Sequence, residues 1–136
     1  MYPRIKKTAE ASIRIHDREE QPFAENPGGP QLSKARYRVV YEGGIEGKGI
    51  VEELKVQFSR RSAVMTGMQH LEVCIGGLRG LFTTHYQGTF RDGKVSHSHV
   101  VVPGSATGQL KGLRGKIKLY SPEAEVLPVT FRYYLL

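Results

Sequence analysis

Apolar and polar residues alternate with a period of two along most of this chain, whereas the spacing typical of amphipathic helices is nearly absent. The last such segment carries Leu127, Val129, Phe131, Tyr133 and Leu135 on one face. About eight segments follow one another, joined mostly by short turns such as Asp92-Gly93, a strong hairpin signal. The pattern predicts short antiparallel strands, each with one buried face, and therefore an all-β fold.

Strands of this kind form either a closed barrel or a two-sheet sandwich. We predict a single closed antiparallel eight-stranded β-barrel, because no other part of the sequence would cover the edges of an open sheet. With 136 residues the chain is long enough for one such domain, spanning residues 1–136, to bury a core without disulfides or metal.

The composition also predicts the cellular setting. No run of about 20 apolar residues occurs, so no membrane-spanning helix is predicted. The first residues, MYPRIKKTAEAS, lack the apolar stretch of a secretory signal, and Cys74 is the single cysteine, which excludes an internal disulfide. Together these features predict a cytoplasmic protein without a membrane partner.

Two stretches interrupt the alternation. Residues 17–34, which include several prolines and glycines, predict a long connection that is either a lid or a surface loop packed by Phe23. Residues 104–115 contain the run GSATGQLKGLRG, which lacks the Gly-Lys-Ser/Thr ending and the following helix of a phosphate-binding loop. We interpret that run as structural, because glycine supplies the backbone angles and bulges that a barrel needs at its corners.

Parity along the strands places several polar side chains on the faces predicted to point inward: Glu52, Gln69, Thr84, Tyr86, His97 and His99, with Tyr37 and Tyr41 nearby. Glu52 belongs to this set because Ile50, Leu54 and Phe58 share its face. A buried carboxylate without a partner is costly, so Glu52 is expected to be paired, hydrated or functional. Glu52 and His99 are the predicted catalytic acid and base, and the remaining members are the predicted binding residues. The alternative is an internal hydrogen-bond network that only satisfies these groups.

His97 and His99 lie two residues apart on one strand face, an arrangement that supplies two ligands in some metal-binding barrels. Glu52 is a candidate third ligand, but no further carboxylate follows at a supporting spacing. Two histidines alone are a weak metal signal. The sequence therefore predicts neither a metal nor a cofactor.

The faces predicted to point outward offer two kinds of contact. An apolar group, consisting of Val64, Met68, Cys74, Val100 and Val102, predicts self-association into a homo-oligomer. A basic group contributes to the formal net charge of +7 and consists of Arg4, Lys6, Arg14, Arg36, Arg38, Lys116, Lys118 and Arg132. This group allows nucleic-acid binding, but few aromatic residues interleave with the charges, and solvated surface charge is the favoured interpretation.

Several motifs are shared with one known family. They are Gln21-Pro22-Phe23 before Gly28-Gly29-Pro30, the run IEGKG from Ile45, the run GGLRGLF from Gly76, Gly88-Thr89-Phe90, and VVPGSATGQLKGLRG from Val101. On these motifs the chain resembles the domain-of-unknown-function family 3224, whose members look like the allene oxide cyclase and dirigent group of β-barrels. The resemblance implies a closed, self-associating barrel and no agreed activity. Glu52 fits the family's usual pattern, whereas Gln69, Tyr86 and His99 depart from it.

The polar interior and the resemblance together give the leading hypothesis, a barrel that encloses a small, largely apolar molecule. In relatives of the wider barrel group, such an arrangement guides cyclisation or isomerisation without a cofactor. An enzyme of this kind would be a cofactor-free cyclase or isomerase. The alternatives are a nucleic-acid-binding barrel and a purely structural oligomer without enzymatic activity.

Overall fold

The alternating segments form eight strands that close into one barrel. In the computed structural model, which describes residues 5–136, the strands are β1 (Lys7–Ala24), β2 (Gln31–Gly43), β3 (Ile45–Ser59), β4 (Ser62–Ile75), β5 (Leu78–Arg91), β6 (Lys94–Val101), β7 (Leu113–Pro122) and β8 (Val126–Leu135). Each strand pairs antiparallel with the next, and β8 pairs with β1. The predicted closed eight-stranded antiparallel barrel is confirmed.

The first hairpin is longer than the sequence pattern predicts. Residues 17–34 are not a long connection, because β1 continues to Ala24 and only residues 25–30 separate it from β2. A bulge between His16 and Glu19 shifts the register, and Asp17 has a positive φ of 53°. The bulge interrupts the alternation with a period of two. Beyond Arg14, β1 no longer pairs with β8, so this part of the strand is exposed and needs no apolar face. The prediction of a long connection here is wrong.

One end of the barrel is packed solid. The rings of Phe82 and Phe131 stack inside it with their centroids 5.9 Å apart, and both side chains are fully buried. The segment after β6 folds across this end, where the backbone N–H of Thr107 donates to the carbonyl of Leu81 over 2.8 Å and Leu110 is fully buried. The glycine-rich run therefore has the structural role predicted for it, as the cover of one barrel end.

The strand β3 has the opposite facing from the one predicted. Val51 lies directly opposite Tyr37 of β2, and Val51 and Glu53 are buried inside the barrel. Ile50, Leu54 and Phe58 lie outside, with relative exposures of 36%, 49% and 56%. The prediction took the face of β3 with more apolar residues as the inner one. In the structure that face is the outer one, and the inner face carries the polar residues.

The reversed facing of β3 enlarges the outer apolar surface. Ile50 and Leu54 lie on the strand next to Met68 of β4, which is 53% exposed, and Leu81 of β5 is 38% exposed. These residues extend the outward apolar group around Val64 and Met68. Self-association through that surface stays a prediction. Within residues 5–136, no helix has both the length and the apolar character needed to cross a membrane.

Candidate ligand-binding site

The half of the barrel away from the covered end encloses a cavity of about 470 Å³. It opens between the turns that join β3 to β4, β5 to β6 and β7 to β8. Its walls are mainly apolar and include Ile13, Val39, Val51, Leu119, Leu127 and Val129. Small-molecule pockets in proteins commonly span about 300–1,000 Å³ and combine apolar walls with a few polar groups. The cavity therefore has the size and the walls of a small-molecule site.

The polar part of the wall is built on one row of residues across four strands. Glu53 of β3 lies opposite Gly67 of β4, Gly67 opposite Tyr86 of β5, and Tyr86 opposite His99 of β6. Because Gly67 has no side chain, the Tyr86 ring extends across it, and a Cβ at that position would lie 2.8 Å from Tyr86 Cε1. The Tyr86 hydroxyl thereby donates to Glu53 Oε1 over 2.7 Å.

Glu53 is a buried carboxylate with a cationic partner. Its side chain is 3% exposed, and Arg18 Nη2 donates to Oε2 over 3.0 Å. Burial alone would lower the pKa of Arg18, but the charge and hydrogen bond of Glu53 raise it above its ordinary value. Burial and the charge of Glu53 raise the pKa of Tyr37 to about 12. The ion pair thus compensates the charge of Glu53 inside the barrel.

Arg18 reaches the interior from the bulge in β1. Its guanidinium lies 5.0 Å from the centroid of the Tyr37 ring, and its side chain is 35% exposed. Beside it, Lys55 Nζ lies 2.6 Å from Glu20 Oε1 at the cavity opening. Burial raises the pKa of Glu20, but hydrogen bonds from Lys55 and Ser33 outweigh this and lower it. The extended β1–β2 hairpin therefore contributes the charged side of the opening.

Two imidazole rings pack against the Tyr86 ring. The centroid of Tyr86 lies 5.0 Å from that of His97 and 4.5 Å from that of His99. His99 Nδ1 is 2.9 Å from Thr84 Oγ1 and 3.5 Å from Gln69 Nε2. Burial, with a smaller contribution from His97, lowers the pKa of His99 to about 3, and burial also lowers the pKa of His97. Both imidazoles are therefore neutral at neutral pH, when each ring has one donor and one acceptor nitrogen.

Most of the residues predicted for the interior are brought together there. Tyr37, Tyr41, Gln69, Thr84, Tyr86 and His99 are buried, and His97 is half-buried. Tyr41 joins the network through its hydroxyl, which donates to Gln69 Oε1 over 2.8 Å. The hydrogen-bond network considered as the alternative is thus present, and five of these predicted residues line the cavity: Tyr37, Tyr41, Gln69, His97 and His99.

Glu52 is not part of this site. Its side chain is 65% exposed on the outer surface, 3.2 Å from Arg36 Nε. Its predicted inward position is wrong for the reason given for β3, and the interior carboxylate is its neighbour Glu53. Glycines within strands often mark a close approach by another group. Gly67 and Gly88 therefore indicate in the sequence that a large side chain passes over each of them. In the structure these side chains are Tyr86 and His97.

Arg18 was missed as well, because the sequence pattern placed it in a loop. No feature of its local sequence predicts that a bulge directs it into the barrel. Within residues 5–136, no three His, Cys, Asp or Glu side chains are grouped closely enough to hold a metal ion.

The low pKa of His99 predicts how stability depends on pH. The pKa falls from 6.5 in the unfolded chain to about 3 in the folded one, so between these values only the unfolded chain binds the proton. The contribution of His99 is fully present above about pH 6.5 and is lost as the pH falls, by up to about 1.4 kcal/mol per pH unit. Urea denaturation between these pH values should show a shallower loss of stability in His99→Gln than in the wild type.

The exposed residue His16 provides the control for this measurement. His16→Gln should keep the wild-type dependence of the free energy of unfolding on pH. Equal slopes for all three proteins would show that the burial of His99 does not contribute to acid sensitivity.

Comparison with known proteins identifies relatives of the chain but no activity. The model of the family described as "Protein of unknown function (DUF3224)" matches residues 9–133. A crystal structure of a DUF3224 protein of unknown function from Shewanella oneidensis MR-1 superposes with a TM-score of 0.79 at 22% identity. The alignment covers 98% of this chain and 99% of that one. No curated protein sequence matches. At this identity the crystal structure supports the fold alone, and a relationship to allene oxide cyclases stays a prediction.

Proposed function

Because the chain belongs to the DUF3224 family, whose description assigns no activity, we propose its function from the cavity: it binds a small, largely apolar molecule inside the barrel and isomerises it by proton transfer. The observation that supports this proposal is the Glu53 carboxylate, buried in the wall of a cavity whose walls are mainly apolar. A carboxylate in the hydrophobic interior is costly to maintain, and stability alone gives little reason to keep one in the wall of a cavity.

Glu53 has the contacts expected of a positioned base. One oxygen accepts from Tyr86 and the other from Arg18, and each retains a further lone pair for a proton of the bound molecule. The proton returns to a different atom of the same molecule, so the product is an isomer and no oxidant or cofactor is consumed. The positive charge of Arg18 stabilises negative charge that develops nearby during the transfer.

The walls indicate the class of substrate. Aliphatic side chains form much of the wall, so much of the molecule should be hydrocarbon. The neutral imidazoles of His97 and His99 can each donate or accept a hydrogen bond. They fit an uncharged carbonyl or hydroxyl group better than a second carboxylate, which would meet Glu53 in the same small cavity. The substrate is therefore an apolar molecule with one neutral oxygen function.

Occupancy of the interior is tested with N-phenyl-1-naphthylamine, a neutral apolar fluorescent probe. The wild type should bind one probe per barrel, and Val51→Phe should weaken binding at least about tenfold by filling the cavity. The matched control is Ile50→Phe, which places the same ring on the outer face of the same strand and should bind like the wild type. Equal binding by both variants, with both folded, would locate the probe outside the barrel and contradict the proposal.

The chemical step is tested on the small molecules that co-purify with the protein. Native mass spectrometry should find the same ligand mass in the wild type and in Glu53→Gln, because isomerisation changes no atoms. Chromatography of the extracted ligands should then separate two isomers, with the substrate retained by Glu53→Gln. Glu52→Gln should retain the wild-type isomer. If all three proteins retain the same isomer, the barrel binds the molecule but does not isomerise it.

A further inference from the structure

Charges on the outside of the barrel are distributed unevenly. On the side formed by β1 to β4, three cations lie beside acids: Arg36 with Glu52 at 3.2 Å, Arg38 with Asp17 at 3.9 Å, and Lys48 with Glu72 at 3.9 Å. Arg14 of β1 similarly lies 3.5 Å from Glu125. Arg4, the first residue of the basic group considered from the sequence, lies outside the described residues. On this side the favoured interpretation, solvated and neutralised surface charge, fits the contacts.

The side formed by β7 and β8 differs because, in the part of the chain that the structure describes, its cations form no ion pair with an acid. Arg114, Lys116 and Lys118 occupy successive outward positions of β7, and Arg132 of β8 lies directly opposite Lys116. Among the ion pairs within residues 5–136, none includes any of these four residues. Lys118 donates instead to the hydroxyl of Ser98. We call these four residues the basic column.

The spacing of the basic column suits a linear anion. Alternate residues of a strand are about 6.6 Å apart, since each residue rises about 3.3 Å. Successive phosphates of an extended single strand of nucleic acid have a comparable separation. Lys116, Lys118 and Arg132 are exposed, so their charges are accessible to such a ligand.

Aromatic side chains lie at both ends of the column. Tyr120 occupies the next outward position after Lys118 and is 68% exposed. Tyr134 lies opposite Arg114 at the other end and is half-buried. An exposed aromatic ring beside a basic strand, such as Tyr120, is a platform on which an unpaired base stacks, and several small β-barrels bind single strands on their strand faces.

From this arrangement we propose that the outer face of β7 and β8 binds single-stranded nucleic acid, with phosphates along the basic column and a base stacked on Tyr120. This second site is independent of the interior cavity. Binding there is largely independent of sequence, because the contacts are to phosphates and to the face of any base. An anionic membrane is the less favoured partner, since the cations follow one strand on a curved barrel and no large apolar side chain among them is available for insertion.

The test is fluorescence anisotropy with a labelled thymidine oligonucleotide of about 16 nucleotides at about 50 mM salt. The double variant Lys116→Gln/Arg132→Gln should weaken binding at least about tenfold and reduce the salt dependence, log K against log salt, by about 1.4. The control is Arg36→Gln/Arg38→Gln, which removes the same charge from the paired side and should bind nearly as well as the wild type. Tyr120→Ser should weaken binding without changing the salt dependence.

Three outcomes would overturn the proposal. Absence of binding at low salt would exclude the site. Equal losses of affinity in the two double variants would show that binding depends only on the net charge of the protein. Sedimentation with phosphatidylserine vesicles that depends on Lys116 and Arg132, together with oligonucleotide binding that does not, would assign the face to a membrane. Thermal unfolding of each variant shows whether it is folded.

Discussion

Arg18→Met is expected to lower the free energy of unfolding by about 2–3 kcal/mol, because the Glu53 carboxylate would lose the cation that compensates its burial. Removing one partner of a fully buried pair costs about 3–5 kcal/mol. The lower value is expected because Arg18 is 35% exposed and water already screens part of the interaction. Urea denaturation at neutral pH measures the change.

A second variant separates the lost ion pair from lost packing. Glu53→Gln keeps an acceptor for the Tyr86 hydroxyl and leaves Arg18 beside Glu20, so it should cost about 1 kcal/mol. In the double variant Arg18→Met/Glu53→Gln no uncompensated charge remains, and its stability should be within about 1 kcal/mol of the wild type. Additive losses in the double variant would show that Arg18 stabilises the barrel through packing, and that its charge is dispensable.

Gly67→Ala is expected to lower the free energy of unfolding by about 3 kcal/mol or more, which is large for one methyl group. The added Cβ would overlap the backbone carbonyl oxygen of Glu52 and would lie 2.8 Å from Cε1 and 2.9 Å from Cζ of Tyr86, so both β3 and the ring must move. Movement of the ring removes the hydrogen bond from its hydroxyl to Glu53 and disturbs the stacking with His97 and His99. The variant should therefore also bind N-phenyl-1-naphthylamine more weakly.

Gly49 of β3 provides the matched control. It also points into the barrel, but an added Cβ would lie 3.2 Å from Gln69 Oε1 and 3.3 Å from the carbonyl of His70. Adjustments of a few tenths of an ångström relieve those contacts, so Gly49→Ala should cost less than about 1 kcal/mol. Similar losses at both positions would mean that a general preference for glycine, and not the close contacts at Gly67, explains the effect.

The fold was predictable because the faces of most strands differ clearly in polarity. In β8, Leu127, Val129 and Phe131 are buried and their neighbours are more exposed, so a period of two identifies both the strand and its inner face. Closure of the sheet into a barrel was predictable because no other part of the sequence would cover the edges of an open sheet. The first hairpin was not predictable by this reasoning, because both of its faces meet water and the bulge at Asp17 interrupts the alternation.

The candidate site was predictable only in part, for a related reason. Parity correctly placed Tyr86, His97 and His99 inside, because apolar neighbours on β5 and β6 define the inner face. On β3 the same reasoning selected Glu52 over Glu53, because it assumes that the more apolar face is the buried one. That assumption fails on β3, because its inner face carries part of the polar wall of the cavity and its outer face is apolar.

The covered end of the barrel has a kinetic consequence for any molecule held in the cavity. With Phe82, Phe131 and Leu110 filling that end, entry and exit use the same opening, so an occupant that fills the cavity blocks the entry of another molecule. Exchange must then begin with departure of the occupant. The rate at which a bound molecule is replaced should therefore be independent of the concentration of the molecule that replaces it.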